Sequence, residues 1–331
     1  MKYKYLLLLI ISIIAINCSN EKKAQKTKDI SSPKTEKFLF VGIYNNSSAL
    51  MEYDLIKFKS KPIWKSNNEK VIDLSLADDG KSGFMVTAAD YGRTGLYPFV
   101  NNAKLYLIKP EENKFDFITN LGTGIQVITN WQSDNTYQVI LNSIDISVAG
   151  YVKSNSRFYN ISGKQIMEEN RIYDLSKEGF PTPPEKRIKS QSYTNKYSIF
   201  YSDSNRINLT IKNNETEERN LVTYVEGKVN DVDWSYNDDY LILSIVNISN
   251  DMPNSRLIIY STSEKKIIKD WKNTGGSNFR IIGDLLIYDS GFRPNSKINI
   301  YNLEKKRNIS TVELKDGCGL NNIPEKPDYD I

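Results

Sequence analysis

The stretch Trp234-Ser235-Tyr236-Asn237-Asp238-Asp239-Tyr240 decides the fold. A tryptophan closes an apolar strand, four polar residues and a tyrosine make a turn, and an aromatic residue opens the next strand. Asn and Asp suit such turns because they tolerate the left-handed region and bond their own backbone. Trp131-Gln132-Ser133-Asp134-Asn135-Thr136-Tyr137 aligns with it without gaps, and Leu76-Ala77-Asp78-Asp79-Gly80 followed by Phe84 is a weaker copy lacking the tryptophan. After each copy comes an apolar strand, a variable loop, another strand, a tight polar turn and a final strand.

Working outward, short runs rich in Ile, Val, Tyr, Phe and Leu alternate with Asn, Asp, Gly, Ser and Lys clusters from Phe38 onward. That is the signature of strands and turns, and no stretch reads as an amphipathic helix of three turns. Units of four strands over about 40–50 residues are the mark of β-propeller blades. Such units begin near residues 71, 125, 186, 229 and 278. Residues 38–70 hold three further strands and residues 321–331 one possible inner strand. Joined, they make a sixth blade and close the ring, which removes exposed sheet edges. The expected fold is therefore all-β, a propeller of six four-stranded blades over residues 38–331. Seven blades, or two stacked β-sandwiches, are the alternatives. Trp131 and Trp234 recur at one place in the unit, so blade packing rather than ligand stacking is expected of them.

The turn at 234–238 resembles the Trp-Ser-Pro-Asp-Gly turn of TolB-like and WD-repeat-like propellers. Tyr236 stands where that pattern has Pro, Asp238 stands where it has Gly, and the closing Trp-Asp dipeptide is missing. The resemblance implies a module that works through protein partners.

The N-terminus carries a second signal. Lys2 and Lys4 precede an apolar run from Tyr5 to Ile16, followed by Asn17 and Cys18. The run is shorter than the ~20 residues of a membrane span and has the charge and order of a secretory signal. Ala15-Ile16-Asn17-Cys18 resembles a bacterial lipobox in a looser form, with Ala15 and Asn17 where the strict pattern prefers Leu and a small residue. The resemblance implies cleavage after residue 17 and lipidation of the Cys18 sulfur. The protein would then be an exported bacterial lipoprotein, bound to the membrane through acyl chains; an uncleaved anchor is the alternative. More than one chain is needed for stable attachment. Ser19 after the cysteine is similar to the pattern that sorts outward, to an outer membrane or the cell surface.

Residues 18–37 read as a lipidated cysteine and a flexible basic tether. Six lysines (Lys22, Lys23, Lys26, Lys28, Lys34, Lys37) outweigh Glu21, Asp29 and Glu36 there. The net charge of +4 over 331 residues thus sits in the signal and the tether, and the body is close to neutral. That suits an anionic lipid surface and gives no nucleic-acid footprint.

The chain has no histidine and two cysteines. Ser-His-Asp and Cys-His catalysis and His-ligated metals are excluded, and no cofactor or metal motif is present. With Cys18 lipidated, Cys318 is expected to be a free, partly buried thiol, or else an intermolecular link. Binding sites are sought on the long loops between second and third strands: 89–102, 143–155, 247–255 and 289–296. Tyr91, Arg93, Tyr97 and Phe99 on the first, with Phe292 and Arg293 on the last, are the candidate binding residues, since Tyr and Arg are common interface anchors. Packing of their own loops would explain the same aromatics. The proline-rich segment 180–184 is expected to be a blade connection. An envelope protein partner is the leading expectation. A His-free hydrolase or lyase acting on glycans through channel carboxylates is the rival, and a structural surface lipoprotein is the third reading. Twenty-one tyrosines and many asparagines leave a glycan ligand open.

Lipidation has a direct test. The Cys18→Ala protein is expected to leave the membrane fraction and to lose labelling by a palmitate analogue; full membrane retention would overturn the lipid-anchor reading.

Overall fold

The structure is a computed structural model that describes residues 37–77, 80–94, 97–144, 150–179, 188–201, 206–249, 252–272, 274, 278–315, 317 and 319–320. Cys18, the segments 1–36 and 180–187, Cys318 and residues 321–331 lie outside the described residues. No helix among the described residues is long and apolar enough to cross a membrane.

Six antiparallel sheets follow one another along the chain. Sheet one holds β1 (Lys37–Tyr44), β2 (Ser47–Asp54) and β3 (Lys59–Lys65). Sheet two holds β4 (Lys70–Leu76), β5 (Gly83–Ala88), β6 (Asp90–Thr94), β7 (Tyr97–Lys109) and β8 (Lys114–Gly124). Sheet three holds β9 (Gln126–Ser133), β10 (Thr136–Ile144), β11 (Tyr151–Asn160) and β12 (Gln165–Asp174); the short helix α1 (Leu175–Glu178) follows it. Sheet four holds β13 (Tyr197–Tyr201), β14 (Arg206–Asn213) and β15 (Arg219–Glu226). Sheet five holds β16 (Lys228–Trp234), β17 (Tyr240–Ser249), β18 (Met252–Ser261) and β19 (Lys266–Lys272). Sheet six holds β20 (Phe279–Ile282), β21 (Leu285–Ser290), β22 (Ser296–Asn302) and β23 (Arg307–Lys315). The fold is an all-β propeller, and six sheets are compatible with six blades.

Alternation along single strands builds the ring. Successive side chains of a strand point to opposite faces, and here they enter different seams. Phe38 and Phe40 pack with Ile287, Ile298 and Ile300 of sheet six. Leu39 and Val41, between and beside them, pack with Val71, Leu74 and Met85 of sheet two. Phe84 and Val86 meet Tyr137 and Val139 of sheet three. Ile199 and Ile211 of sheet four meet Trp234 and Leu241 of sheet five; Ile242 and Ile259 meet Leu286 and Tyr288 of sheet six. This is why the second strands read as continuous apolar runs. Each fully buried Leu, Ile or Phe contributes about 1.5–3 kcal/mol. A surface ion pair contributes about 0–1 kcal/mol, so the apolar seams dominate.

The third and fourth sheets face each other differently. The parity of β10 that points away from sheet two carries Gln138, Ile140 and Asn142, and the corresponding parity of β13 and β14 carries Ser198, Phe200 and Lys212. Among the described residues no apolar cluster joins these two sheets.

Closure uses both ends of the described chain. Gly319 bridges antiparallel to Val41, with Val41 N donating to Gly319 O at 2.8 Å and Gly319 N to Val41 O at 3.0 Å. The C-terminal segment thus takes the inner position beside β1 ahead of 321–331, where the closing strand was expected. Residue 191 likewise bridges Ser198 at the inner edge of sheet four.

Two expected loops are strands. Within 89–102, residues 90–94 and 97–101 pair as the β6–β7 hairpin, with Tyr91 opposite Val100 and Phe99 opposite Gly92. In 247–255, β17 and β18 pair as far as Ser249 and Met252. The turn copies also differ. Two residues separate β9 from β10, whereas five separate Trp234 from Tyr240. Trp234 is fully buried; Trp131 is half-buried against Phe84 and Tyr137.

The longer turn has a copy that sequence comparison missed, because Gln191 replaces the tryptophan. Ser235 Oγ accepts from Tyr240 N at 2.9 Å and Ser192 Oγ accepts from Tyr197 N at 3.0 Å. Asp238 (φ 60°) and Asn195 (φ 61°) take the same left-handed place. Tyr236 and Tyr193 stack at 4.8 Å. Asp238 reaches back to the preceding turn, accepting from Ser192 Oγ at 2.6 Å, Tyr193 N at 3.0 Å, Thr194 N at 3.2 Å and Thr194 Oγ1.

Two substitutions test these devices. Asp238→Ala strands buried donors and is expected to lower stability by about 1–3 kcal/mol. Gly317→Ala drives a Cβ into the Val41 carbonyl oxygen and the Gly42 Cα, so the ring must open locally. Urea unfolding midpoints for both should fall relative to the unaltered chain; an unchanged midpoint for Gly317→Ala would remove closure from the account of stability.

Candidate functional site

In an antiparallel four-stranded meander, the loops between second and third strands lie at the same end as the sheet-to-sheet connections. Three such segments converge there. The β1–β2 turn is a two-residue turn with Asn45 (φ 51°) and Asn46 (φ 61°), the form that favours Asn. The connection from β3 to β4 brings Ser66, Asn67, Asn68 and Glu69. The β6–β7 hairpin brings Tyr91. Between them lies a cleft of about 230 Å³ lined by Asn46, Ser47, Asn67, Glu69, Lys70 and Tyr91, among others.

Hydrogen bonds order this lining. Ser47 Oγ donates to Asn67 Oδ1 at 3.1 Å, and Val71 N donates to Ser48 Oγ at 2.9 Å. Lys70 Nζ holds Asp90 at 2.7 Å and lies 5.7 Å from the centre of the Tyr91 ring. Glu69 accepts from Lys104 Nζ at 2.5 Å, Thr87 Oγ1 at 2.7 Å and Tyr106 Oη at 3.2 Å. Burial alone would push the Glu69 carboxyl up. The bonds from Lys104 and Thr87, with the Lys104 charge, outweigh it and hold the group below its ordinary value. Lys104 is raised by the same bond.

The structure brings two of the candidate residues together. Arg293 Nη1 donates to Tyr91 Oη, and its guanidinium lies 4.8 Å from the ring centre. The pair spans 202 positions of sequence and links sheet six to sheet two across sheet one. Arg293 is buried; Phe292 and Phe99 are half-buried. The register sets Arg93 opposite Pro98 and Tyr97 opposite Thr94; the side chains of Arg93 and Tyr97 lie outside the described set. Of the cleft residues only Tyr91 was among the sequence candidates. Their signal was the pair of short polar runs, Asn45 to Ser48 and Ser66 to Asn68, which read as ordinary turns.

Carboxylates on the inner strands act as fasteners between sheets. Asp73 accepts from Thr129 Oγ1 at 2.5 Å and Tyr137 Oη at 3.3 Å, both on sheet three. Asp233 is pushed up by burial, yet accepts from Lys189 Nζ at 3.1 Å, Tyr193 Oη at 3.2 Å and Trp234 N at 2.9 Å. Burial, then the Asp233 charge, drives the Tyr193 hydroxyl well up. Among the described residues no group of three or more His, Cys, Asp or Glu could hold a metal.

No family model matches the sequence, and none of the curated proteins does. Solved structures similar in shape include TolB from Acinetobacter baumannii, at 12% identity and TM-score 0.45, over 85% of this chain and 64% of that one. The chain thus spans less than two thirds of that TolB. A chain of the nidogen/laminin complex matches at 9% identity and TM-score 0.41, over 83% of this chain and 92% of that one. The β-propeller domain of the Trilobed protease from Pyrococcus furiosus matches at 12% and 0.37, over 86% and 79%. All three scores fall below 0.5, and the fold assignment rests on the sheets themselves.

The Glu69–Lys104 pair sets a pH dependence. A carboxyl held below its ordinary value of 4.5 contributes stability that is full above that pH and is lost as pH falls. Glu69→Gln is therefore expected to flatten the fall of Tm with pH below about 4.5 relative to the unaltered chain; parallel Tm profiles would refute the assignment.

Proposed function

We propose that this chain is an exported, lipid-anchored β-propeller of the bacterial cell envelope that binds a partner protein through the loop end around Tyr91 and Arg293. The anchor reading rests on Lys2, Lys4, the apolar run Tyr5 to Ile16 and Cys18. The observation that carries binding is the Tyr91–Arg293 pair beside the cleft. It ties loops of sheets two and six together across sheet one, with the buried Arg293 holding Tyr91 in place, and a preorganised Tyr is among the residue types that dominate interface energetics.

A second reading has its own support. Amide and hydroxyl side chains around the cleft, with one aromatic wall, match a polyhydroxyl ligand such as a glycan unit. The inner-strand carboxylates give the hydrolase reading no comparable support, because Asp73 and Asp233 are engaged in joining neighbouring sheets.

Crosslinking in intact cells followed by purification and mass spectrometry separates these. A reproducible protein partner is expected, with capture reduced about 30-fold by Lys70→Ala plus Tyr91→Ala, the scale of one interface anchor. The Arg93→Ala plus Tyr97→Ala protein should weaken capture too, and Lys265→Ala, at the opposite end, should not. Absence of a partner together with retention on a glycan array would replace the protein-binding reading with the glycan one.

A further inference from the structure

The outer strand of sheet three is more exposed than β3, β8, β19 or β23. All eight residues from Gln165 to Ile172 of β12 are exposed. Outer strands β3, β8, β19 and β23 each mix exposed positions with half-buried or buried ones. Three of the exposed residues are large and apolar: Ile166 (53%), Met167 (45%) and Ile172 (56%). Free edges are normally guarded by lysine, proline or brevity. β3 has Lys59, Lys61, Pro62 and Lys65, and β19 has Lys266, Lys269 and Lys272. β12 has ten residues, no proline and no lysine.

We propose that β12 pairs antiparallel with β12 of a second copy of this chain, about a two-fold axis at Asn170. A two-fold perpendicular to a sheet sets one residue opposite itself, so few registers exist. Centring on Glu168, Glu169 or Arg171 opposes like charges directly, which is destabilising. Centring on Asn170 sets Glu169 against Arg171 of the other copy, twice by symmetry, and Met167 against Tyr173, also twice. These residues share one face of the strand. The self-facing pair is Asn–Asn, two amides that can each donate and accept. Glu169 has no ion-pair partner among the described residues. Arg171 donates from Nη2 to Glu178 at 2.7 Å, which leaves other guanidinium N–H groups for a carboxylate across the axis. Such a closed, isologous contact covers both edges at once and leaves no edge for further growth.

The test uses the full chain in detergent. Sedimentation equilibrium at micromolar concentration is expected to give a two-chain particle. Arg171→Glu converts both unlike pairs to like pairs and should weaken association about tenfold or more. Adding Glu169→Arg to it restores the pairing with the charges exchanged, so the double variant should recover association. An Asn170→Cys chain should crosslink to itself through residue 170 with a short bis-thiol reagent, mapped by peptide mass to separate it from Cys18 and Cys318. A Glu169→Cys chain should not. A single-chain mass for the unaltered protein, or a dimer that the double reversal fails to restore, overturns the proposal.

Discussion

Two backbone hydrogen bonds between Val41 and Gly319 hold the first sheet in the ring. Sheet one has three strands of its own, and without a neighbour at its inner edge β1 would end the ring on unpaired backbone. The bridge also positions Leu320 against Phe38 and Ile300 in the seam with sheet six. Gly317 passes close to Val41 and Gly42 and leaves no room for a side chain. Closure therefore joins the two ends of the described chain, and its loop-closure entropy spans nearly all of that chain.

The candidate site inherits its geometry from that closure. Tyr91 belongs to sheet two and Arg293 to sheet six, and sheet one lies between them. Their contact exists only when sheet one is seated on both sides, through Leu39 and Val41 toward sheet two and Phe38 and Phe40 toward sheet six. A mutation in either seam would act on the loop end at a distance by displacing one partner of the pair, with no change to any residue of the cleft.

Much of this was legible in the sequence for a physical reason. Strands buried on both faces must read as continuous apolar runs, and their turns must supply left-handed positions, so Phe84 to Val86 and Leu241 to Leu243 announce themselves. The sheet-four copy of the turn did not, since Gln191 stands where tryptophan marks the sheet-five copy and only the Ser192 hydrogen bonds reveal it. The β6–β7 hairpin reads as a loop because Pro98 and paired asparagines interrupt its apolar pattern. For the site, aromatic and arginine content pointed to Tyr91 and Arg293 separately. Their meeting, and the cleft of serines and asparagines beside them, depends on the order of sheets around the ring, which no local pattern encodes.

The two ends of the propeller use their polar side chains differently. At the end of the first-to-second turns, Asp238 is buried and accepts from serine, threonine and backbone donors of the neighbouring turn. Asp233 nearby joins Lys189 and Tyr193 in the same manner. Polar groups consumed in this way lock sheet four to sheet five. At the loop end, Ser47, Asn67 and Lys70 instead border a cleft, with hydrogen-bonding capacity beyond the bonds they already make. The Ser47–Asn67 and Lys70–Asp90 bonds fix side-chain positions at this end, and a preordered surface loses less entropy on any contact it makes. The fasteners of sheets four and five and the cleft residues of sheets one and two thus lie on different strands as well as at opposite ends, so either set can be altered without touching the other.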